Sequence, residues 1–296
     1  MKRIIPFFAL YIVMLTSCAK KEVLPDQSQL DVSDPVKTAF DEWITSNYTS
    51  PYNIKVKYKW DEGDMSDFGR YNIPPEPQKV RLLLEVLQNT WIESYSEIAG
   101  PDFVKKIAPR ELIFRGGDDL TTNGGNGAWG QASGGKTITL FSVNEITAQR
   151  LKNPNVYNGY SGLIHHEYAH ILNQIRNFDE AAYKQITPAG YTANWQNFED
   201  WESNLEGFVS SYARMNVGED FAEMVKFMLT MTRPEWDDYI DSIEDFDGST
   251  TATKAKEDLR KKEGLVVSYF TKVYGIDIYK LQEKTAQKRA AYLSKP

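Results

Sequence analysis

Between Gln78 and Ile98 the apolar residues Val80, Leu83, Leu84, Val86, Leu87, Trp91 and Ile92 fall on one stripe of a helix, with polar and charged residues filling the rest. Upstream, Ile54, Val56, Tyr58 and Trp60 alternate with lysines, which predicts a strand with one apolar face. Before that strand, Ser33-Asp34-Pro35 opens a helix reaching about Ser46, with Asp34 as cap and Pro35 in the first turn. Glu111 to Arg115 and Lys136 to Phe141 read as short strands, and the glycine- and asparagine-rich run 118–135 as a long loop. Beyond Asn197 the period is helical nearly throughout, including Lys254 to Val273 and Ile278 to Leu293. This order of periods predicts an α+β fold, a small twisted sheet followed by a mostly helical C-terminal half.

Between the two halves lies all the histidine the chain has. Its three histidines, His165, His166 and His170, fall within six residues, and His166-Glu167-Tyr168-Ala169-His170 spells H-E-x-x-H. Residues four apart on a helix differ by roughly 40° in direction, so His166 and His170 can aim at one metal ion. Glu167 lies beside that face, placed to reach a water without competing as a ligand. This is the arrangement in which two imidazoles and a carboxylate build a catalytic zinc site on one helix. Tyr157 to Gly162 supplies a loop or the helix start, and Leu163, Ile164, Ala169, Ile171, Leu172 and Ile175 give an apolar surround. His165 points roughly 100° away from His166 and reads as a packing residue. A sheet before such a helix and a helical half after it is the zincin arrangement. In it the strand Lys136 to Phe141 is expected to be the edge along which an extended peptide lies.

A hydrolytic zinc ion needs a third protein ligand and an open position. No other histidine exists, and Ile171 to Arg176 lacks the glycine and third histidine of the extended metzincin pattern. A carboxylate is therefore expected, and Glu202, Glu206, Glu219, Asp220 and Glu223 are all available downstream. Spacing alone does not choose among them.

The N-terminus speaks to location. Lys2 and Arg3 precede an apolar run, Ile4 to Leu15, too short for a membrane span of about 20 residues. Leu15-Thr16-Ser17-Cys18 matches a lipobox, so residues 1–17 read as a signal peptide and Cys18 as the lipidated first residue of the mature chain. Cys18 is the sole cysteine, which leaves no thiol for a disulfide or a structural zinc site. Residues 18–33 read as lipidated cysteine and tether, and 34–296 as the folded domain. Cleavage removes Lys2 and Arg3 and no acid, taking the formal net charge from −7 to about −9. Such a surface argues against nucleic-acid partners and against charge-driven binding to an anionic bilayer. The glycine pairs in 116–127 lack the endings of a phosphate-binding loop, which argues against a nucleotide site.

The run Ser211-Tyr212-Ala213-Arg214-Met215-Asn216-Val217-Gly218-Glu219-Asp220-Phe221-Ala222-Glu223 resembles the second half of the active site in gluzincins of the anthrax-toxin lethal factor type. There a tyrosine stands seven residues before the ligating glutamate, which Phe-Ala-Glu closely follows. That resemblance covers the two motif segments. Taken with the lipobox, the chain is similar over most of its mature length to the zinc-binding metallopeptidase lipoproteins, the substrate import-associated zinc metallohydrolases found beside TonB-dependent importers. The resemblance implies that Glu219 is the third ligand of one zinc ion and that Tyr212 donates to the developing oxyanion. Phe221 and Ala222 would pack the Glu219 helix on the histidine helix. Glu223, four residues after Glu219, is a candidate acceptor for a ligating imidazole. The expected protein is a lipid-anchored zinc metallopeptidase of a Gram-negative-type outer membrane, facing the cell surface or the periplasm, with Glu167 as general base. The alternative is a non-catalytic, substrate-capturing accessory lipoprotein of the importer.

Overall fold

The structure, a computed structural model, describes residues 36–59, 70–71, 73–118, 120–121, 130–133, 136–246, 248 and 251–295. Ala39–Pro296 forms one unit and Met1–Thr38 another. The signal peptide, Cys18, the tether, Asp34 and Pro35 lie outside the described residues. Among those described, no helix is long and apolar enough to cross a membrane.

The first helix is described from α1 (Ala39–Ile44) and runs past its expected end at Ser46. A π-helical turn over Thr45–Thr49 carries it into Ser50–Tyr52. Asn53, in the left-handed region that asparagine tolerates, ends it. A second π-helical turn, Gln88–Glu93, continues α2 (Pro77–Leu87) into Ser94–Ala99, within the span expected for one helix. The wider turn lets three successive residues, Thr90, Trp91 and Ile92, all face inward. All seven apolar residues of the predicted stripe are buried, each contributing roughly 1.5–3 kcal/mol when removed from water.

Strands β1 (Lys55–Lys57), β2 (Glu111–Phe114), β3 (Gly130–Ser133) and β4 (Thr137–Leu140) form a sheet in the order β1-β2-β4-β3. The first three in that order are parallel and β3 is antiparallel to β4. Register aligns Val56, Leu112 and Ile138 in one row across a face. Here the expectation for Lys136 to Phe141 is corrected. That strand is internal, and β3, from the run read as a loop, is the outer strand. Gly130-Gln131-Ala132-Ser133 has no β-branched or aromatic residue to announce a strand. Gly130 lies close against the next helix, since a Cβ there would meet Leu163 Cδ2 at 2.3 Å and force that side chain aside. Within the same run, Leu120–Thr121 pairs antiparallel with Arg70–Tyr71.

Leu163 belongs to α3 (Pro154–Ile175), which begins earlier than expected. Asn153 caps it by accepting the Asn155 N–H at 2.9 Å, and Pro154 fills the first turn. Tyr157 to Gly162 is therefore helix. Its two glycines have low helix propensity, but packing overrides it: Tyr157, Tyr160, Ser161 and Gly162 are all buried. Ile175 departs from its expected place, lying 53% exposed in the last turn.

After α3 the chain reaches α4 (Val217–Thr230), α5 (Arg233–Asp241), α6 (Ala252–Tyr274) and α7 (Ile278–Leu293). The helical stretch expected from Asn197 is broken over residues 205–211, where Gly207 takes a φ of +80°. Helix α4 is the hub, packed on α3, α6 and α7. A small mixed sheet before a long helix, followed by a helical half, makes the fold α+β.

Candidate metal centre

Helix α3 presents His166 and His170 on one face, their Nε2 atoms 3.2 Å apart. Helix α4 delivers Glu219 opposite them. Its Oε2 lies 3.0 Å from His166 Nε2 and 3.1 Å from His170 Nε2. Glu219 is held in the first turn of α4 by Asn216, whose Oδ1 accepts the N–H groups of Gly218 and Glu219 at 2.9 and 3.0 Å.

Two ring nitrogens and a carboxylate oxygen converge on one centre, and with both nitrogens unprotonated there the three repel one another unless a positive charge lies between them. A tetrahedral zinc ion with bonds near 2.0–2.1 Å holds its ligand atoms roughly 3.3 Å apart, so this triangle has the size and the N/O chemistry zinc takes. A proton is drawn to the same spot. Burial works against charge on His166, yet Glu219 and Glu223 lift its pKa to about 9. Burial likewise opposes the charge on Glu219, but His166 and His170 hold its pKa well below the usual carboxylate range.

Of the five candidate acids, the structure brings Glu219 into the triad and Glu223 behind it. Glu223 Oε1 lies 2.9 Å from His166 Nδ1, out of line for an ideal hydrogen bond but close enough for opposite charges to hold each other. Its other oxygen accepts from Ser210 Oγ at 2.7 Å, and Lys226 Nζ donates to both oxygens at 2.9 and 3.1 Å. Burial would raise the Glu223 pKa, but Lys226 and His166 bring it down to about 2, so it faces the imidazole as a carboxylate. The other acids have separate work. Glu202 closes a capping box with Glu199, Glu206 pairs with Arg214, and Asp220 pairs with Lys262 in the core.

Tyr212 starts a short 3₁₀ turn, Tyr212–Met215, and its ring centroid stands 5.9 Å from that of His166. Burial, then the charges of Glu219 and Glu167, push its pKa well above the ordinary tyrosine value, so the hydroxyl keeps its proton. Trp195 supports the ring edge-on at 4.9 Å. Glu167 is buried, and its charge acts on both His166 and Tyr212. His165 is fully buried, packed against Tyr95 at 6.0 Å between ring centroids, and burial drops its pKa to about 3. It packs and does not join the triad. Ala222 is buried on α4, while Phe221 stacks on Phe178 at 4.0 Å, just past the end of α3, and meets Tyr269 of α6.

Sequence reasoning missed Asn216, Lys226, Ser210 and Trp195. Asn216 just before an acid-rich first turn is a readable cap, and Lys226 a readable i,i+3 partner of Glu223. Ser210, in irregular chain, and Trp195, in an isolated 3₁₀ turn, carry no such signal.

A family model described as "Putative zinc-binding metallo-peptidase" matches residues 33–279. The chain belongs to that family. A crystal structure described as a "putative zinc-binding metallo-peptidase" from Bacteroides caccae is similar at 26% identity, with a TM-score of 0.67, over 86% of this chain and 92% of that one. No match is found among curated proteins. As a zinc-binding metallo-peptidase family member, the chain carries a His-His-Glu group able to hold the metal of the family's name.

Proposed function

We propose that this protein is a zinc-dependent peptidase, a zincin-like gluzincin with one zinc ion held by His166, His170 and Glu219. The observation that carries this reading is the convergence of those three donor atoms beside Glu167 and Tyr212. When bound, zinc acidifies water toward neutral pH and polarises a carbonyl oxygen. Glu167 accepts a proton from the attacking water and hands it to the leaving amine. Tyr212, kept protonated by its surroundings, donates to the oxygen on which negative charge develops. Glu223 fixes the ring of His166 from behind, with Ser210 and Lys226 fixing Glu223 in turn. A peptide substrate in extended form has the outer strand β3 to pair with, beside α3.

The location is part of the same proposal. The lipobox at Leu15 to Cys18 supports a lipid anchor, and the resemblance to import-associated lipoproteins supports the outer membrane and a TonB-dependent importer as neighbour.

The test is metal analysis followed by digestion of a mixed peptide library with and without a chelator. We expect one zinc per chain and cleavage that the chelator abolishes. Glu167→Gln should keep the metal and lose activity, while His166→Ala should lose both. A full metal complement with no chelator-sensitive cleavage would replace the enzyme with the substrate-capturing accessory lipoprotein.

A further inference from the structure

The residue after Glu219 faces away from the metal triad into the core, where it meets a second charge. Asp220 on α4 and Lys262 on α6 are both 0% exposed, with Nζ donating to Oδ2 at 2.6 Å. Tyr191 donates to the same oxygen at 2.9 Å, and Tyr183 lies near the other at 3.5 Å. The ammonium also donates to the carbonyl of Gly207 at 2.7 Å and lies 3.9 Å from the centroid of the Phe208 ring. Gly207 is where the break between helices turns on a φ of +80°, and a Cβ there would approach Asp258 Cβ at 3.0 Å.

One ammonium thus ties together the two segments that bring Glu219, Glu223, Ser210 and Tyr212 to the histidines of α3. Through Asp220 it holds the first turn of α4, which carries Glu219. Through Gly207 it holds the segment that reaches Ser210 three residues later and Tyr212 five residues later. A buried ion pair is a poor source of stability, because taking both charges out of water cancels most of their attraction. An apolar pair of similar volume often does as well. What the charges supply is direction, since Nζ has to satisfy Asp220 and Gly207 together.

We infer that Lys262 and Asp220 are positioning residues of the metal centre, setting the approach of Glu219 and Tyr212 to the two histidines. This rests on the zinc reading of the triad. It makes the affinity for zinc, rather than the stability of the fold, the property that depends on the pair.

The experiment compares the wild-type chain with Lys262→Met and with the paired variant Asp220→Asn/Lys262→Met, which removes both charges at nearly constant volume. Zinc affinity is measured by chelator competition, thermal unfolding on the metal-free proteins, and ligand geometry from the visible spectrum of the cobalt-substituted proteins. The expected result is a paired variant that melts lower by only about 2–12 °C, the cost of the one Gly207 carbonyl left without its donor, binds zinc on the order of 10- to 100-fold more weakly, and shows an altered cobalt spectrum. A paired variant that folds, binds zinc as tightly as wild type and gives the same spectrum overturns the inference while leaving the zinc site standing. Wild-type protein that binds no zinc overturns both. Should the paired variant fail to fold, Tyr191→Phe removes one donor from Asp220 at a half-buried position. Zinc binding several-fold weaker then supports the inference, and unchanged binding overturns it.

Discussion

Each imidazole of the triad is only as well aimed as the groups behind it. For His166 that group is Glu223, itself gripped by Ser210 and Lys226. Replacing Glu223 with alanine leaves the three donor atoms untouched but frees the ring, so zinc affinity should fall on the order of 10- to 100-fold. Chelator competition measures this directly, and affinity equal to wild type would mean that Glu223 is ordinary packing. Spacing on a helix made His166, Glu167 and His170 readable from five residues. Glu219 was not, since its distance from the histidines depends on how α4 crosses α3, and only the resemblance singled it out. Residue chemistry also gives a pH dependence. His165 is buried neutral with a pKa of about 3, against about 6.5 in the unfolded chain. The unfolded state therefore binds a proton that the native state refuses. Stability is lost as pH falls from about 6.5 toward 3, by roughly 1.4 kcal/mol per unit. His165→Phe removes this component, so denaturant unfolding at pH 7, 5 and 4 should show the variant gaining on wild type at each step down. Parallel curves would refute it.

At the scale of elements, what the sequence concealed was mostly what tertiary packing decides. Period placed α2, α6 and α7 well because a helix with one buried face writes that face into its sequence. It missed β3, which takes its conformation from pairing with β4, and it shortened α3, where burial outweighs two glycines. The same reasoning makes β3 fragile. A side chain at Gly130 would collide with Leu163 as it stands. Gly130→Val should push β3 away from α3, costing about 1–3 kcal/mol from overpacking. If peptides pair with β3, KM should rise more than kcat falls, and steady-state kinetics on a cleaved library peptide separate the two. Equal loss in both would place the damage in α3 itself.

Across the whole molecule, helix α4, which carries Glu219 of the candidate triad, is braced by α7. The carbonyls that close α4 are Met228, Leu229 and Thr230, and α7 satisfies all three with side chains. Gln282 Nε2 donates to Met228 at 2.8 Å and Thr285 Oγ1 to Leu229 at 2.8 Å, while Arg289 reaches Thr230. A helix end buried in protein must find such donors, because water cannot reach it. The family match ends at residue 279, two residues into α7, so this brace lies almost wholly beyond the matched range. Gln282→Ala together with Thr285→Val strands two buried carbonyls, at about 1–3 kcal/mol each. For a unit of this size the melting temperature should fall on the order of 5–20 °C. The loss belongs to the frame and not to the triad, so zinc affinity measured well below that melting temperature should stay close to wild type. In this the variant is the converse of the Lys262 and Asp220 pair, where zinc affinity moves with only a modest fall in melting. Thermal unfolding and chelator competition on the same preparations decide between them, and a variant that loses zinc without losing stability would place α7 in the metal centre instead of beneath it.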